Sequence, residues 1–256
     1  MTDPAQPAAT LVLLRDAASG PELFMQTRAR TMGFAAGMMV FPGGKVDDHD
    51  RALAADPSLV AGETVDPDDR AARVAAVRES FEEAGVLLTR GTILDPELLA
   101  DAQPRVSGRT LAFGEFLARH GHSIDLDALV PFTRWVPPAS VAHRRYDTRF
   151  YLARMPADAI AGHDGNEATT SHWITAAGAL HLADQGDAQV IFPTRRNLER
   201  LAQFGNVEAL IAHARETPLV TVQPEIRQFE DGHFLCIPEG IGYPVTREAL
   251  TSALRG

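Results

Sequence analysis

The chain holds a single cysteine, Cys236, so no intrachain disulfide can form. That agrees with a reducing compartment. Between Leu235 and Ile237, the thiol reads as a small buried hydrophobe. Long apolar runs are also missing. Stretches such as Phe34 to Phe41 fall far short of the ~18–20 residues that span a bilayer, which excludes a membrane-crossing helix. Positive charge is scarce: 24 Lys+Arg stand against 34 Asp+Glu, a net charge of −10. Nucleic-acid affinity comes mainly from basic side chains neutralising phosphates, so no nucleic-acid partner is expected. A small anionic ligand must be met locally, by an arginine, a helix N-terminus or a metal. Glycine and proline, at 20 and 17 of 256 residues, are near average, which excludes collagen-like and low-complexity chains. Met1 to Thr10 has no basic region ahead of an apolar core, so it reads as a frayed tail over about 1–7 and not as a signal peptide. The C-terminal Ala253-Leu254-Arg255-Gly256 is not a peroxisomal address of the Ser-Lys-Leu type. A cytoplasmic location is expected. What is present is 45% hydrophobic residues and enough length to bury a real core.

Thr10 to Arg15 and Leu23 to Thr27 read as strands joined by a turn at Ser19-Gly20-Pro21. The stretch from Thr31 to Gly44 is glycine-punctuated and ends in Phe41-Pro42-Gly43-Gly44, a loop with special backbone angles. Lys45 to Asp69 is rich in aspartate and lacks sustained periodicity. It reads as an excursion with one short helix at Arg51 to Ala55. Asp66 then caps a helix that has Pro67 at its first position and stops at about Gly85. Further helices are expected at Pro96 to Ala102, Thr110 to His120, Ala176 to Ala183, Arg195 to Phe204 and Val207 to Arg215. Strands are expected at Val130 to Val136, Arg149 to Arg154, His172 to Thr175, Leu219 to Val222, Glu225 to Phe229 and His233 to Ile237. There is no repeat, no clean linker and no regular alternation of strand and helix. The class is α+β, in one domain spanning 8–256.

The most informative segment is Arg78-Glu79-Ser80-Phe81-Glu82-Glu83-Ala84-Gly85-Val86. On a helix, positions i, i+3 and i+4 share a face, so Glu79, Glu82 and Glu83 point the same way. Crowded carboxylates raise one another's pKa and weaken the helix, a cost that divalent cations can offset. Val74, Val77, Phe81 and Val86 form the opposite, packing face. A surface helix with an acidic stripe is the plain alternative.

Phe41-Pro42-Gly43-Gly44 followed by this helix resembles the Nudix box of Nudix hydrolases. Gly44 opens the box and Arg78 to Val86 close it. Ser80 stands where an aliphatic residue is usual, and Asp50 occupies the first-glutamate position. Gly44 and Arg78 lie 34 positions apart instead of the standard 14, so about 20 extra residues separate the halves. The split resembles the branch that includes peroxisomal coenzyme A diphosphatases. So do Met39 to Gly44, Arg145 to Tyr151, Trp173 to Thr175 and Phe192 to Leu198. The coenzyme A signature has an arginine four residues before Gly37; Gly33 stands there, with Arg28 and Arg30 out of register.

The resemblance implies a Nudix α/β/α sandwich with a mixed central sheet. The insertion falls at about 45–69, and helical additions at about 95–120 and 176–216. It implies metal-dependent hydrolysis of a diphosphate linked to a nucleoside, with Mg²⁺ or Mn²⁺ as cofactor. Coenzyme A or acyl-coenzyme A is the favoured substrate. ADP-ribose, NADH or a related dinucleotide is the alternative, and a nucleotide-sensing module without catalysis is the second. Glu79, Glu82, Glu83 and the Gly44 carbonyl are the implied metal ligands. Arg78 pairs with an acid in the box, Asp50 first and Asp47 second. The general base is Glu79 or Glu167. Substrate phosphates are assigned to Gly43, Gly44, Arg28, Arg30, Arg145, Arg149, Arg195 and Arg196. Surface salt bridges are the plain alternative for the arginines. The partner is a small nucleoside diphosphate. A homodimer is left open, and the inserted segment is a lid, a dimer contact or decoration.

Overall fold

Alternation in the apolar run near the N-terminus sets the architecture. Ala9, Leu11 and Leu13 face one side of a strand, Val12 and Leu14 the other, and none is more than 1% exposed. A strand buried on both faces belongs at the centre of a covered sheet. The computed structural model describes residues 4–29, 37–63, 66–138, 145–157, 159–162 and 168–253. In chain order, β1 (Gln6–Ala17), β2 (Gly20–Arg28), β3 (Met39–Val40) and β4 (Gly43–Lys45) lead to α1 (Asp48–Ala54), β5 (Val60–Ala61) and α2 (Pro67–Ala84). Next come β6 (Thr89–Arg90), α3 (Pro96–Ser107), α4 (Phe113–His120), β7 (Ser123–Asp125), β8 (Val130–Trp135) and β9 (Tyr146–Arg154). The remainder is β10 (Ala168–Thr175), α5 (Ala176–Gln185), α6 (Phe192–Leu201), α7 (Val207–Glu216), β11 (Thr221–Val222), β12 (Glu225–Phe229), β13 (Gly232–Cys236), β14 (Arg247–Ala249) and α8 (Leu250–Ala253).

The central sheet runs β10-β2-β1-β9-β8-β11, with β3 beside β2 and β4 beside β1. It is mixed: β1 and β9 are parallel, as are β8 and β11, while β1 and β2 form an antiparallel hairpin. One face packs on α2, α3 and α4, and the other on α5, α6 and α7. This is the expected α/β/α sandwich. Along one edge of β1, β2 pairs with residues Leu14 to Ala17 and β4 with Ala8 to Thr10. Two strands thus share that edge, and Gly43 allows the close approach: a Cβ there would lie 2.5 Å from the Ala9 carbonyl oxygen.

Helix α2 follows the sequence expectation at both ends. Asp66 accepts a hydrogen bond from the Asp68 amide, Pro67 opens the first turn, and Gly85 closes the helix at φ 70°. Other expectations needed correction. Strand β1 begins inside the expected tail, because Gln6 and Pro7 pair with Tyr146 and Asp147. Helix α6 begins at Phe192, not Arg195, because Pro193 suits a first turn. The short helix in the insertion starts at Asp48, drawn back by a capping box between Asp47 and Asp50. The insertion is ordered by α2: Arg70 donates to the carbonyl oxygens of Ala54 (2.6 Å), Gly62 (2.8 Å) and Val60 (3.2 Å). Two small sheets, β5-β7-β6 and β12-β13-β14, add to the central one. The first ties the insertion to the 95–125 region, with Val60 opposite Ile124. Phe81 is fully buried and stacks on Phe113 and Phe116 of α4, at 5.8 and 5.4 Å. The second face of α2 is therefore covered too.

Candidate active site

The last two turns of α2 carry the expected carboxylates, and the surrounding elements bury them. Glu82 and Glu83 are only 7% and 5% exposed, so this is no solvated stripe. Arg78 holds the cluster together. Its Nε and Nη2 donate to the two carboxylate oxygens of Asp50 at 2.7 and 3.0 Å. Its Nη1 donates to Glu79 at 2.8 Å and to Glu82 at 3.1 Å. A further bond, to the Lys45 carbonyl at 3.1 Å, ties the helix to β4. Asp50 is therefore the acid partner, and it arrives on α1, the helix just after the loop. The extra residues of the split box lie beyond it and leave the pairing intact.

Gly43 and Gly44 face the cluster. The Gly43 amide donates to Glu83 Oε2 at 3.1 Å, and Gln26 Nε2 reaches the same oxygen at 3.5 Å. A Cβ at Gly44 would sit 2.3 Å from Glu79 Oε1, so only glycine lets Glu79 lie there. Burial raises the pKa of Glu79 to about 7; the Arg78 charge opposes this and the Glu82 charge adds to it. Burial likewise raises Glu82. Burial alone would lower Arg78, but the hydrogen bonds it donates to Asp50 and the charges of the neighbouring carboxylates outweigh it and keep the guanidinium charged.

The donor set fits a hard divalent cation. It offers carboxylate oxygens on one helix face, and the buried Glu82 Oε1 has no hydrogen-bond partner. Among the described residues no three acidic, histidine or cysteine side chains converge on one point, since Glu79 is turned to Arg78 and Glu83 to Gly43. Gathering three of these carboxylates on one cation would therefore require side-chain movement from these positions.

Sequence reasoning missed one cation at this site, Arg109. It follows α3 in the left-handed region, at φ 58°, where a non-glycine residue costs about 1–2 kcal/mol. Its Nη2 lies 3.2 Å from Asp47 and its Nη1 3.8 Å from Glu82 Oε1. No motif marks it. The hint available was Gly108, which suggests a helix end without saying which way the next side chain points.

The other expected residues are dispersed. Arg149 pairs with Asp66 at 3.0 Å, at the far end of α2, roughly 20 Å along the axis from Glu79. Arg145 donates to the Pro137 carbonyl at 3.0 Å. Arg195 and Arg196 lie on α6, across the sheet from the glutamates. Arg195 pairs with Asp184, and Arg196 with Glu199 and Glu248. The Arg195 N–H is not free for an anion, because it donates to the Ile191 carbonyl. Arg28 ends β2, where its amide and carbonyl bind Met38 and Gly37. Arg30 and Glu167 lie outside the described residues.

A mixed sheet between helical layers, with an arginine-centred carboxylate cluster beside paired glycines, defines a Nudix hydrolase. The crystal structure of a NUDIX hydrolase from Alicyclobacillus acidocaldarius superposes with a TM-score of 0.68 and 31% identity, covering 83% of this chain and 97% of that one. The NUDT19 Nudix domain family model matches residues 52–201, more than half of the chain, and the chain belongs to that family. This is the branch that the split box resembles. Two relatives are each named acyl-coenzyme A diphosphatase NUDT19. The Xenopus laevis protein is 24% identical over 273 residues, covering 87% of this chain and 71% of its own length. The Gallus gallus protein is 27% identical over 274 residues, covering 87% and 72%. Nudix hydrolases as a class work with divalent metal ions. Among the described residues no helix is long and apolar enough to cross a membrane.

Proposed function

We propose that this Nudix hydrolase cleaves the diphosphate of coenzyme A or acyl-coenzyme A, giving 3′,5′-ADP and a phosphopantetheine, with Mg²⁺ or Mn²⁺ bound by Glu79, Glu82 and Glu83. The observation that carries the reading is the Asp50–Arg78–Glu79/Glu82 network, which is complete although the box is split. The names of the NUDT19 relatives support the coenzyme A class. The Gly44 carbonyl is a further candidate ligand.

When bound, the metal supplies charge neutralisation of the diphosphate and a water of lowered pKa. The rest falls to the chain. Arg78 fixes the carboxylates by holding Asp50 with two parallel bonds. Gly43 and Gly44 leave room for the diphosphate to approach the backbone. Glu79 is one candidate to take a proton from the attacking water onto its carboxylate. Glu167 is the second candidate for that role. Arg28 and Arg30 remain proposed phosphate contacts. Arg145 and Arg149 are weaker ones, since backbone or aspartate already engages them. The α6 arginines are not part of this proposal. The reaction is placed in the cytoplasm, without nucleic acid or membrane. A homodimer and a sole protomer are distinguished by mass in solution.

The test is product chromatography at mildly alkaline pH, with and without chelator, on coenzyme A, an acyl-coenzyme A, ADP-ribose and NADH. Chelator-sensitive 3′,5′-ADP from coenzyme A is expected. AMP from ADP-ribose or NADH, with coenzyme A intact, would keep the chemistry and replace the substrate. No turnover of any of them, with nucleotide binding retained, would favour a sensing role.

A further inference from the structure

Arg109 combines three features that mere packing does not explain. Its side chain is 53% exposed, so it is not filling a core. It sits in a left-handed backbone position that glycine would occupy without strain, and glycine stands one residue earlier, at 108. Its guanidinium nevertheless reaches the acidic cluster, 3.8 Å from the one Glu82 oxygen without a hydrogen bond and 3.2 Å from Asp47. The backbone around it is a closed helix end. The Arg109 amide donates to Val106, and the Thr110 and Leu111 amides donate to Arg105. The strained position is thus held by neighbours, and the side chain is what the strain aims.

Arg78 cannot greet a substrate, because it is 2% exposed and its five donors are spent on Asp50, Glu79, Glu82 and Lys45. Among the described residues paired with this cluster, Arg109 is the cation with free surface. An exposed planar guanidinium matches phosphate oxygens with two parallel bonds.

We propose that Arg109 is the diphosphate clamp of this site: it pairs with Glu82 and Asp47 in the free protein and transfers to the substrate's phosphate oxygens on binding. The clamp rests on the diphosphatase reading above and adds a residue from the α3–α4 addition. It also gives that addition a role, namely to carry a cation to the rim of the glutamates. Because Arg109 competes for Glu82, its removal should tighten divalent-cation binding while it weakens phosphate binding. A structural prop would do neither.

The experiment compares the full chain with Arg109→Gly in three measurements. Inorganic pyrophosphate is titrated calorimetrically with saturating Ca²⁺, Mn²⁺ alone is titrated by electron paramagnetic resonance, and thermal unfolding is followed. The clamp requires pyrophosphate affinity to fall about 10- to 100-fold, the range of hydrogen bonds to charged groups. It also requires Mn²⁺ affinity to hold or rise, and Tm to stay or rise because glycine relieves the φ 58° strain. Unchanged pyrophosphate affinity overturns it. So does a Tm that falls by several degrees together with binding, which would make Arg109 a prop. Coenzyme A turnover separates the two proposals. If wild type cleaves coenzyme A and Arg109→Gly shows an unchanged KM, the clamp fails and the diphosphatase reading stands. If wild type leaves coenzyme A intact while the pyrophosphate loss is seen, the substrate reading fails and the clamp stands.

Discussion

Two ends of the molecule carry dense charge, and they differ in how that charge is balanced. At the C-terminal end of α2, carboxylates outnumber the buried guanidinium: Asp50, Glu79 and Glu82 share Arg78, and Glu82 Oε1 lacks a hydrogen-bond partner. Across the sheet, on α6, the arginines are held by internal contacts, although Arg196 Nε and Nη1 and Arg200 Nη2 also lack hydrogen-bond partners among the described residues. Arg196 lies between Glu199 (2.7 Å) and Glu248 (3.0 Å). Arg200 is 2% exposed and no carboxylate pairs with it among the described residues. It rests instead 4.2 Å over the Phe132 ring, donates to the Phe132 carbonyl at 3.1 Å, and donates to His213 Nε2 at 3.1 Å. Carboxylates in excess of their cations invite a positively charged ligand, whereas guanidinium charge met by carboxylates, carbonyls and aromatic faces holds helices to a sheet.

The sharpest way to break this contrast is to neutralise each end. Glu82→Gln and Glu83→Gln should each lower diphosphatase turnover by orders of magnitude while keeping the circular dichroism spectrum, since losing a charge removes a metal ligand yet relieves repulsion. Arg196→Gln should do the reverse, lowering Tm with kcat/KM of the folded protein unchanged. Normal rates in both glutamate variants would refute the metal assignment, and a rate loss in Arg196→Gln would refute the division of labour.

Next in size is the bond that closes the split box. Asp50→Ala leaves the Arg78 guanidinium buried without its bidentate partner, a loss of roughly 3–5 kcal/mol for a buried pair. Denaturant unfolding should show it as a lower midpoint. Asp47→Ala removes the α1 cap and the half-exposed pair with Arg109, and should cost about 1 kcal/mol. Equal losses would mean that the two aspartates share the arginine.

The two ends should also respond to pH in opposite directions in the metal-free protein. The folded pKa of Glu79 is raised from 4.5 to about 7. Between those values the folded state binds more protons than the unfolded one. Its contribution is present below pH 4.5 and lost as pH rises through 7, up to about 3 kcal/mol before neighbouring relaxation. His213 has its pKa lowered from 6.5 by burial first and by the Arg200 charge second. Its contribution is present above pH 6.5 and lost as pH falls through the folded value, because a protonated ring cannot accept from Arg200. Glu79→Gln should flatten the neutral limb of a Tm–pH curve and His213→Gln the acidic limb. A Mn²⁺-sensitive neutral limb would tie the first to the metal site.

The contrast also explains what was legible in the chain. Helix α2 was readable to its ends because its signals are local: an aspartate cap, a first-turn proline and a terminal glycine. The pairing of Asp50 with Arg78 followed from counting along the box. The α6 arginines were misplaced because Phe-Pro-Thr-Arg-Arg reads as a helix start from Arg195, while the helix begins three residues earlier and faces the other layer. Arg109 was invisible for a different reason. Its contact spans a backbone conformation and the packing of α3 against α2, neither of which leaves a residue pattern. The β5-β7-β6 sheet was missed because two- and three-residue strands carry no periodicity.

The smallest expected effect concerns Ser80, the departure from the aliphatic residue usual in the box. It is fully buried between Glu79 and Phe81 on α2, and its Oγ has no hydrogen-bond partner among the described residues. A buried hydroxyl without a partner forfeits its hydration for nothing, so Ser80→Ala should stabilise the protein by about 1 kcal/mol. Alanine also has the higher helix propensity. Ser80→Leu is the informative partner variant. No exposure remains at the site, so the two additional heavy atoms must displace neighbours, and overpacking typically costs about 1–3 kcal/mol. A stabilised Ser80→Leu would show hidden space beside the cluster. A destabilised Ser80→Ala would show that the hydroxyl bonds a buried water and helps to position Glu79. Calorimetric unfolding of both variants with and without Mn²⁺ separates these cases, because only a positioning role makes the loss depend on the ion.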